Sequence, residues 1–145
     1  MKRIFFSLAL LLAVTTLAAQ TNMTAREAAV KIADRILAST TYEFKNTKTG
    51  ETYKSVKKLP LDMNVKVACK YNNWHYTNGV TNMALMELGD KLADKKYEKY
   101  VLKNMNFVFN EGNLDFFRKQ YDEAFKRDGW NAVRKLSWHM IFRGK

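Results

Sequence analysis

The chain has 145 residues, 25 Lys and Arg against 14 Asp and Glu, a formal charge of +11, one Cys and one Pro. A lone thiol, Cys69, excludes an internal disulfide framework and reads as a small buried apolar residue. The basic residues are spread from Lys45 to Lys135 rather than gathered into a stripe with interleaved aromatics, which argues against a nucleic-acid groove and leaves solvated helix faces or an acidic partner.

The first residues read as an export signal covering residues 1–19. Lys2 and Arg3 form its charged start, Ile4 to Leu17 its apolar run, and Ala18 and Ala19 the small residues before Gln20. The run is shorter than the ~20 apolar residues of a spanning helix and contains Thr15 and Thr16, so no membrane span is expected in the mature chain. Roughly 125 residues remain, enough for one domain over 20–145 in an exported, periplasmic or secreted protein.

Thr24 and Glu27 have capping-box spacing, and Ala29, Ile32, Ala33, Ile36 and Leu37 recur at helical intervals, predicting an amphipathic helix over 24–39. Residues 40–61 lose that period. The turn-rich run from Asn46 to Gly50 lies between Tyr42-Glu43-Phe44 and Glu51-Thr52-Tyr53-Lys54, which fits a short hairpin or an irregular excursion. Val65, Val67, Cys69 and Tyr71 alternate with other residues, as in a short extended piece.

An aromatic loop follows, Trp74-His75-Tyr76-Thr77-Asn78-Gly79-Val80, with Asn78 as the expected cap of a second helix whose apolar face would be Val80, Met83, Ala84, Leu88 and Leu92. Gly89 interrupts this helix, at about 1 kcal/mol relative to Ala, and implies close approach of another helix. Asp94 is the expected N-cap of a third helix with Tyr97, Tyr100, Val101, Met105 and Val108 on one face, ending near Asn110-Glu111-Gly112. So short a connection forces an antiparallel hairpin. A fourth helix is predicted from about Asn113 to Arg127, with Phe116, Phe117, Gln120, Tyr121, Ala124 and Phe125 inside and Asp128-Gly129 as its stop. Trp130, Ala132, Val133, Leu136 and Met140 again show helical spacing, while 137–142 also fits an extended run. The fold class expected is all-α.

The candidate binding residues are Trp74, His75 and Tyr76. Two aromatics at i and i+2, surrounded by Asn72, Asn73, Thr77 and Asn78, offer a stacking face for a pyranose ring beside amides and hydroxyls for its oxygens. Core packing is the competing reading for both rings, and ordinary loop hydrogen bonding for His75. Phe107, Phe109, Phe116 and Phe117, like Tyr97 and Tyr100, have helical spacing and are expected in the core. His75, His139 and Cys69 form no ligand spacing, so no metal and no cofactor is expected. Glycoside chemistry generally needs two carboxyl groups across the scissile bond. The acids here fall on solvent faces or caps beside Lys or Arg, and none is assigned a catalytic role.

The aromatic loop, together with Ala84-Leu85-Met86-Glu87-Leu88-Gly89-Asp90 and Lys96-Tyr97-Glu98-Lys99-Tyr100-Val101, resembles the N-terminal part of unsaturated rhamnogalacturonyl hydrolases of glycoside hydrolase families 105 and 88. The resemblance runs from about Lys31 to Lys145. It implies an (α/α)6 toroid of six helical hairpins, incomplete here, with only the first hairpins present. Trp74 and Tyr76 would line a pocket for an acidic, pectin-derived oligosaccharide carrying an unsaturated uronic acid. The family's metal-free reaction protonates the uronide double bond from an aspartic acid and adds water, and the product rearranges to release the neighbouring sugar. The segment Ile141-Phe142-Arg143-Gly144-Lys145 matches the stretch just before the family's first catalytic aspartate, so both acids would lie beyond Lys145. The expectation is an inactive hydrolase fragment with exposed apolar faces; a small non-catalytic envelope protein that binds an acidic glycan or protein is the second reading.

Overall fold

A computed structural model describes residues 23–143; the export signal read in residues 1–19 lies outside them. The chain divides into two compact units, residues 1–32 and 33–145. In the first, the described residues open helix α1 (Ala25–Ser39), which continues across the division. Its capping box forms as the spacing predicts: the Glu27 amide donates to Thr24 Oγ1 at 3.2 Å and the Thr24 amide to Glu27 Oε2 at 2.9 Å.

The second unit is mostly helical, as expected, and adds a small three-stranded sheet to the all-α plan. Strands β1 (Phe44–Asn46), β2 (Thr52–Tyr53) and β3 (Val65–Val67) lie in the order β2-β1-β3, antiparallel throughout. Phe44 opposes both Tyr53 and Val67, and Asn46 opposes Val65. The two short pieces were legible separately. Their pairing was not, because it depends on helix α4 (Glu111–Val133) packing beneath. Gln120 of α4, fully buried, donates from Nε2 to Asp62 O at 2.6 Å and Val65 O at 2.9 Å, and Phe44, Val65, Phe117, Trp138 and Phe142 close one core around it.

Helices α2 (Tyr76–Leu92) and α3 (Lys95–Val108) form the expected antiparallel hairpin. Asp94 caps α3 by accepting from the Lys96 amide at 3.0 Å, and Ala93 turns the chain at φ 52. The close approach anticipated at Gly89 is present: a Cβ there would sit 3.2 Å from Asp94 O and 3.3 Å from Tyr97 Cβ. The buried stripe of α2 is the expected one only in part: Leu88 and Leu92 pack against the core as their spacing predicts. Asn82, Leu85 and Gly89 are buried, whereas Val80 and Met83 are exposed. Gly89 meets Tyr97 of α3 and Asn82 meets Asn104, so one small and one amide residue take buried positions on this helix. Leu85, Tyr97, Tyr100 and Val101 then pack with Ala33, and Tyr97 donates its hydroxyl to Asp34 Oδ1 at 2.9 Å.

Helix α4 starts at Glu111 under an Asn110 cap, two residues before the predicted start. Its expected stop is real: Asp128 and Gly129 leave helical geometry, Gly129 at φ 50 and ψ −135, a combination that suits a residue without a Cβ. The chain resumes as a helical turn to Val133 and folds back. Residues His139–Phe142 form a 3-10 turn rather than an extended run. Trp138, fully buried, donates Nε1 to Asn72 O at 3.0 Å and anchors this return.

Among the described residues, no helix is long and apolar enough to cross a membrane.

Candidate functional site

The return of the chain against the α2–α3 hairpin borders a half-open cavity of about 1040 Å³. Its rim is the aromatic loop. A 3-10 turn, Lys70–Asn72, presents the loop, with Cys69 buried at its start and accepting from the Tyr71 amide at 3.4 Å. Asn78 does not cap α2. Its Nδ2 donates to Lys70 O and Asn73 O, both at 2.7 Å, and so locks the loop against the first turn of the helix. The cap is His75, whose Nδ1 accepts from the Thr77 amide at 3.4 Å and pairs with Thr77 Oγ1 at 2.8 Å. An imidazole acceptor in extended backbone serves this role, so α2 starts at Tyr76, three residues earlier than an Asn78 cap would place it.

The three predicted residues line the same cavity. Trp74 is 41% exposed and meets Phe109 edge-to-face, ring centroids 5.4 Å apart. Tyr76 is 77% exposed, with its ring 4.9 Å from that of His75. Neither aromatic residue is core. Phe109, expected in the core, is half exposed and belongs to this wall instead, since it caps α3 at the point where the chain leaves the helix.

Several wall residues were not singled out from the sequence. Trp138 and Met140 come from the C-terminal return, and Met83, Met86 and Met105 from the facing helices. Asn72, Asn82 and Asn104 supply amides. Asn104 donates from Nδ2 to Tyr71 O at 3.1 Å and to Asn82 Oδ1 at 3.2 Å, joining the hairpin to the loop. The signal was available: Asn104 interrupts the Tyr97, Tyr100, Val101, Val108 stripe at a buried position, and a carboxamide there needs partners. His139 also lines the cavity, with Nδ1 3.0 Å from Leu136 O.

The basic excess lies elsewhere. Lys91 pairs with Glu87, Lys95 with Glu98, Lys119 with Asp115 and Lys126 with Glu123 along exposed helix faces. Lys96 bridges Asp34 at 2.8 Å and Asp94 at 3.4 Å. The Lys96 ammonium and then the Tyr97 hydroxyl hold the Asp34 carboxyl below its ordinary range. Burial pushes the Tyr42 hydroxyl up to about 12. These shifts belong to structural contacts away from the cavity wall. Among the described residues, no group of three or more His, Cys, Asp or Glu side chains is placed to hold a metal ion. The cavity therefore offers stacking faces, apolar thioethers and amides, a set suited to holding a ligand.

No protein-family model, curated protein or solved structure matches the chain.

Proposed function

We propose that the chain forms one wall of the substrate pocket of an unsaturated glycuronyl hydrolase of the family 105 or 88 type, its helical hairpins being part of an (α/α)6 toroid. The ligand is a pectin- or rhamnogalacturonan-derived oligosaccharide ending in an unsaturated uronic acid. The observation that carries this reading is the convergence of Trp74, Tyr76, Phe109 and Trp138 with Asn73, Asn82 and Asn104 around one cavity. Aromatic faces take the C–H side of a pyranose, and amides take its hydroxyls. The tight α2–α3 hairpin with a loop-borne aromatic at its open end supports the toroid, and the net positive charge favours approach of a uronate. The export signal read in residues 1–19 supports a periplasmic or secreted setting.

By this reading no carboxylate of this chain takes a catalytic role, and the chain binds without turnover. The test is titration of the 145-residue chain with an unsaturated rhamnogalacturonan disaccharide, followed by tryptophan fluorescence and by the ultraviolet absorbance of the double bond. Saturable quenching, reduced at least about tenfold in affinity by Trp74→Ala while absorbance stays constant, is expected. Lack of binding, or turnover by this chain, would overturn the proposal.

A further inference from the structure

The break in α4 carries a second exposed aromatic group. Phe125 stands shortly before Asp128-Gly129 and Trp130 directly after it; they are 46% and 43% exposed, and neither lines the cavity. Their rings meet edge-to-face, with centroids 6.3 Å apart and planes at 88°. One face of each is already covered, Trp130 by the Arg143 guanidinium 5.1 Å from its centroid and Phe125 by Tyr121, stacked at 6.0 Å and 7°. The surroundings are cationic: residues 118–143 contain seven Lys and Arg against three Asp and Glu. Arg127, Arg134, Lys135 and Arg143 are exposed and take part in no ion pair among the described residues, whereas Lys126 is held by Glu123 at 3.0 Å. Arg134 stands one helical turn beyond Trp130, its amide donating to Trp130 O at 3.2 Å, so the two side chains share a face. The remaining acids, Asp122 and Asp128, are too few to cancel this charge.

Two exposed rings in a net positive field fit an anionic partner that also takes up apolar surface. A second copy of the chain would bring the same positive charge to this corner. A glycan chain stacks along rings that share a plane, and these two are perpendicular. The interface of a bilayer requires no common plane. Ring edges enter among the headgroups and upper acyl chains, while guanidinium and ammonium groups on flexible stems stay at the phosphates. Each Lys or Arg beside an anionic leaflet strengthens such binding about fivefold.

We propose that the α4 break is a peripheral docking surface for an anionic phospholipid bilayer, with Phe125 and Trp130 entering the interface and Arg127, Arg134, Lys135 and Arg143 meeting the lipid phosphates. The proposal is independent of what the cavity holds. The experiment uses the chain from Gln20 to Lys145, which keeps every described residue and omits the apolar run that would itself enter lipid. It is sedimented with vesicles of phosphatidylcholine alone and of equal parts phosphatidylcholine and phosphatidylglycerol. Binding to the mixed vesicles should be at least about tenfold stronger, weaken with added salt, and shift tryptophan emission to the blue. Trp130→Phe should abolish the blue shift while keeping most of the binding, and the double variant Arg127→Glu, Arg134→Glu should lower binding at least about twentyfold. Circular dichroism checks the fold of each variant, and the comparison of the two vesicle types stands without them. Equal or absent binding to the two vesicle types overturns the inference, as does a blue shift that persists in Trp130→Phe or a double variant that binds as before. Polygalacturonate bound in place of the mixed vesicles, and lost in the double variant, also overturns it and gives this surface to an acidic glycan.

Discussion

Replacing Gly89 by Ala tests the α2–α3 hairpin at its tightest point. In an open helix the change would stabilise by about 0.8–1.0 kcal/mol, since Gly carries the larger backbone entropy. Here the new Cβ meets Asp94 O at 3.2 Å and Tyr97 Cβ at 3.3 Å. Neither neighbour yields readily. The Asp94 amide donates to Gly89 O at 2.9 Å while its carboxylate caps α3, and Tyr97 is fully buried with its hydroxyl on Asp34. Overpacking of this kind costs about 1–3 kcal/mol, so the net effect of Gly89→Ala is a loss of about 1 kcal/mol. Gly79 is the control: it lies in the same helix, and a Cβ there meets nothing within 4 Å, so Gly79→Ala should gain about 0.5–1 kcal/mol. Urea denaturation followed by tryptophan fluorescence reads the difference, about 2 kcal/mol between the two variants. Equal stability of the two would refute the argument that the hairpin is held rigidly at Gly89.

Ala93 occupies the left-handed region at φ 52, so Ala93→Gly should raise stability by about 0.5 kcal/mol after the extra freedom of the unfolded chain is counted, visible as a higher melting temperature; a lower one would contradict the strain. Gln120→Leu strips the Asp62 and Val65 carbonyls of their donor and should cost about 2 kcal/mol in the same denaturation assay, the loss being moderated because Gln120 Oε1 is itself unpartnered. The lowered Asp34 carboxyl contributes stability that is complete above its unfolded value of about 3.9 and is lost as pH falls through the folded value. Asp34→Asn should therefore flatten the acid limb of a stability–pH profile below about pH 5, and an unchanged slope would show that the contact to Lys96 and Tyr97 is energetically silent. At the other end, the Lys96 share is retained until pH rises beyond the ordinary lysine value of about 10.4, because the Asp34 contact raises its proton affinity.

The helices were legible because their boundaries rest on local chemistry. The Thr24–Glu27 box, the Asp94 cap and the Asp128-Gly129 break act within four residues of themselves, and each stands where the spacing puts it. What periodicity could not supply was the direction each face takes. Val80 and Met83 are more apolar than Asn82, yet Asn82 is buried, since its partner Asn104 lies 22 positions away and carries the compensating amide. The sheet failed to register for a related reason: three strands of two or three residues acquire stability from Gln120 and Phe117 beneath them, not from their own alternation. At the site, the loop aromatics were visible as a pair flanked by Asn72, Asn73 and Asn78, while Phe109, Trp138, Asn82 and Asn104 were hidden among residues of the helices and the C-terminal return.

Trp138 is joined to Asn72 across 66 residues of chain, and both residues line the cavity. Such a closure is entropically late, since the α2–α3 hairpin can assemble from neighbours while the C-terminal return must search for a distant target. A return that detaches would take Trp138, His139 and Met140 out of the cavity wall. A ligand that binds only the closed form would slow that opening in proportion to its occupancy, so exchange of the Trp138 indole proton would serve as a clock for both folding and binding.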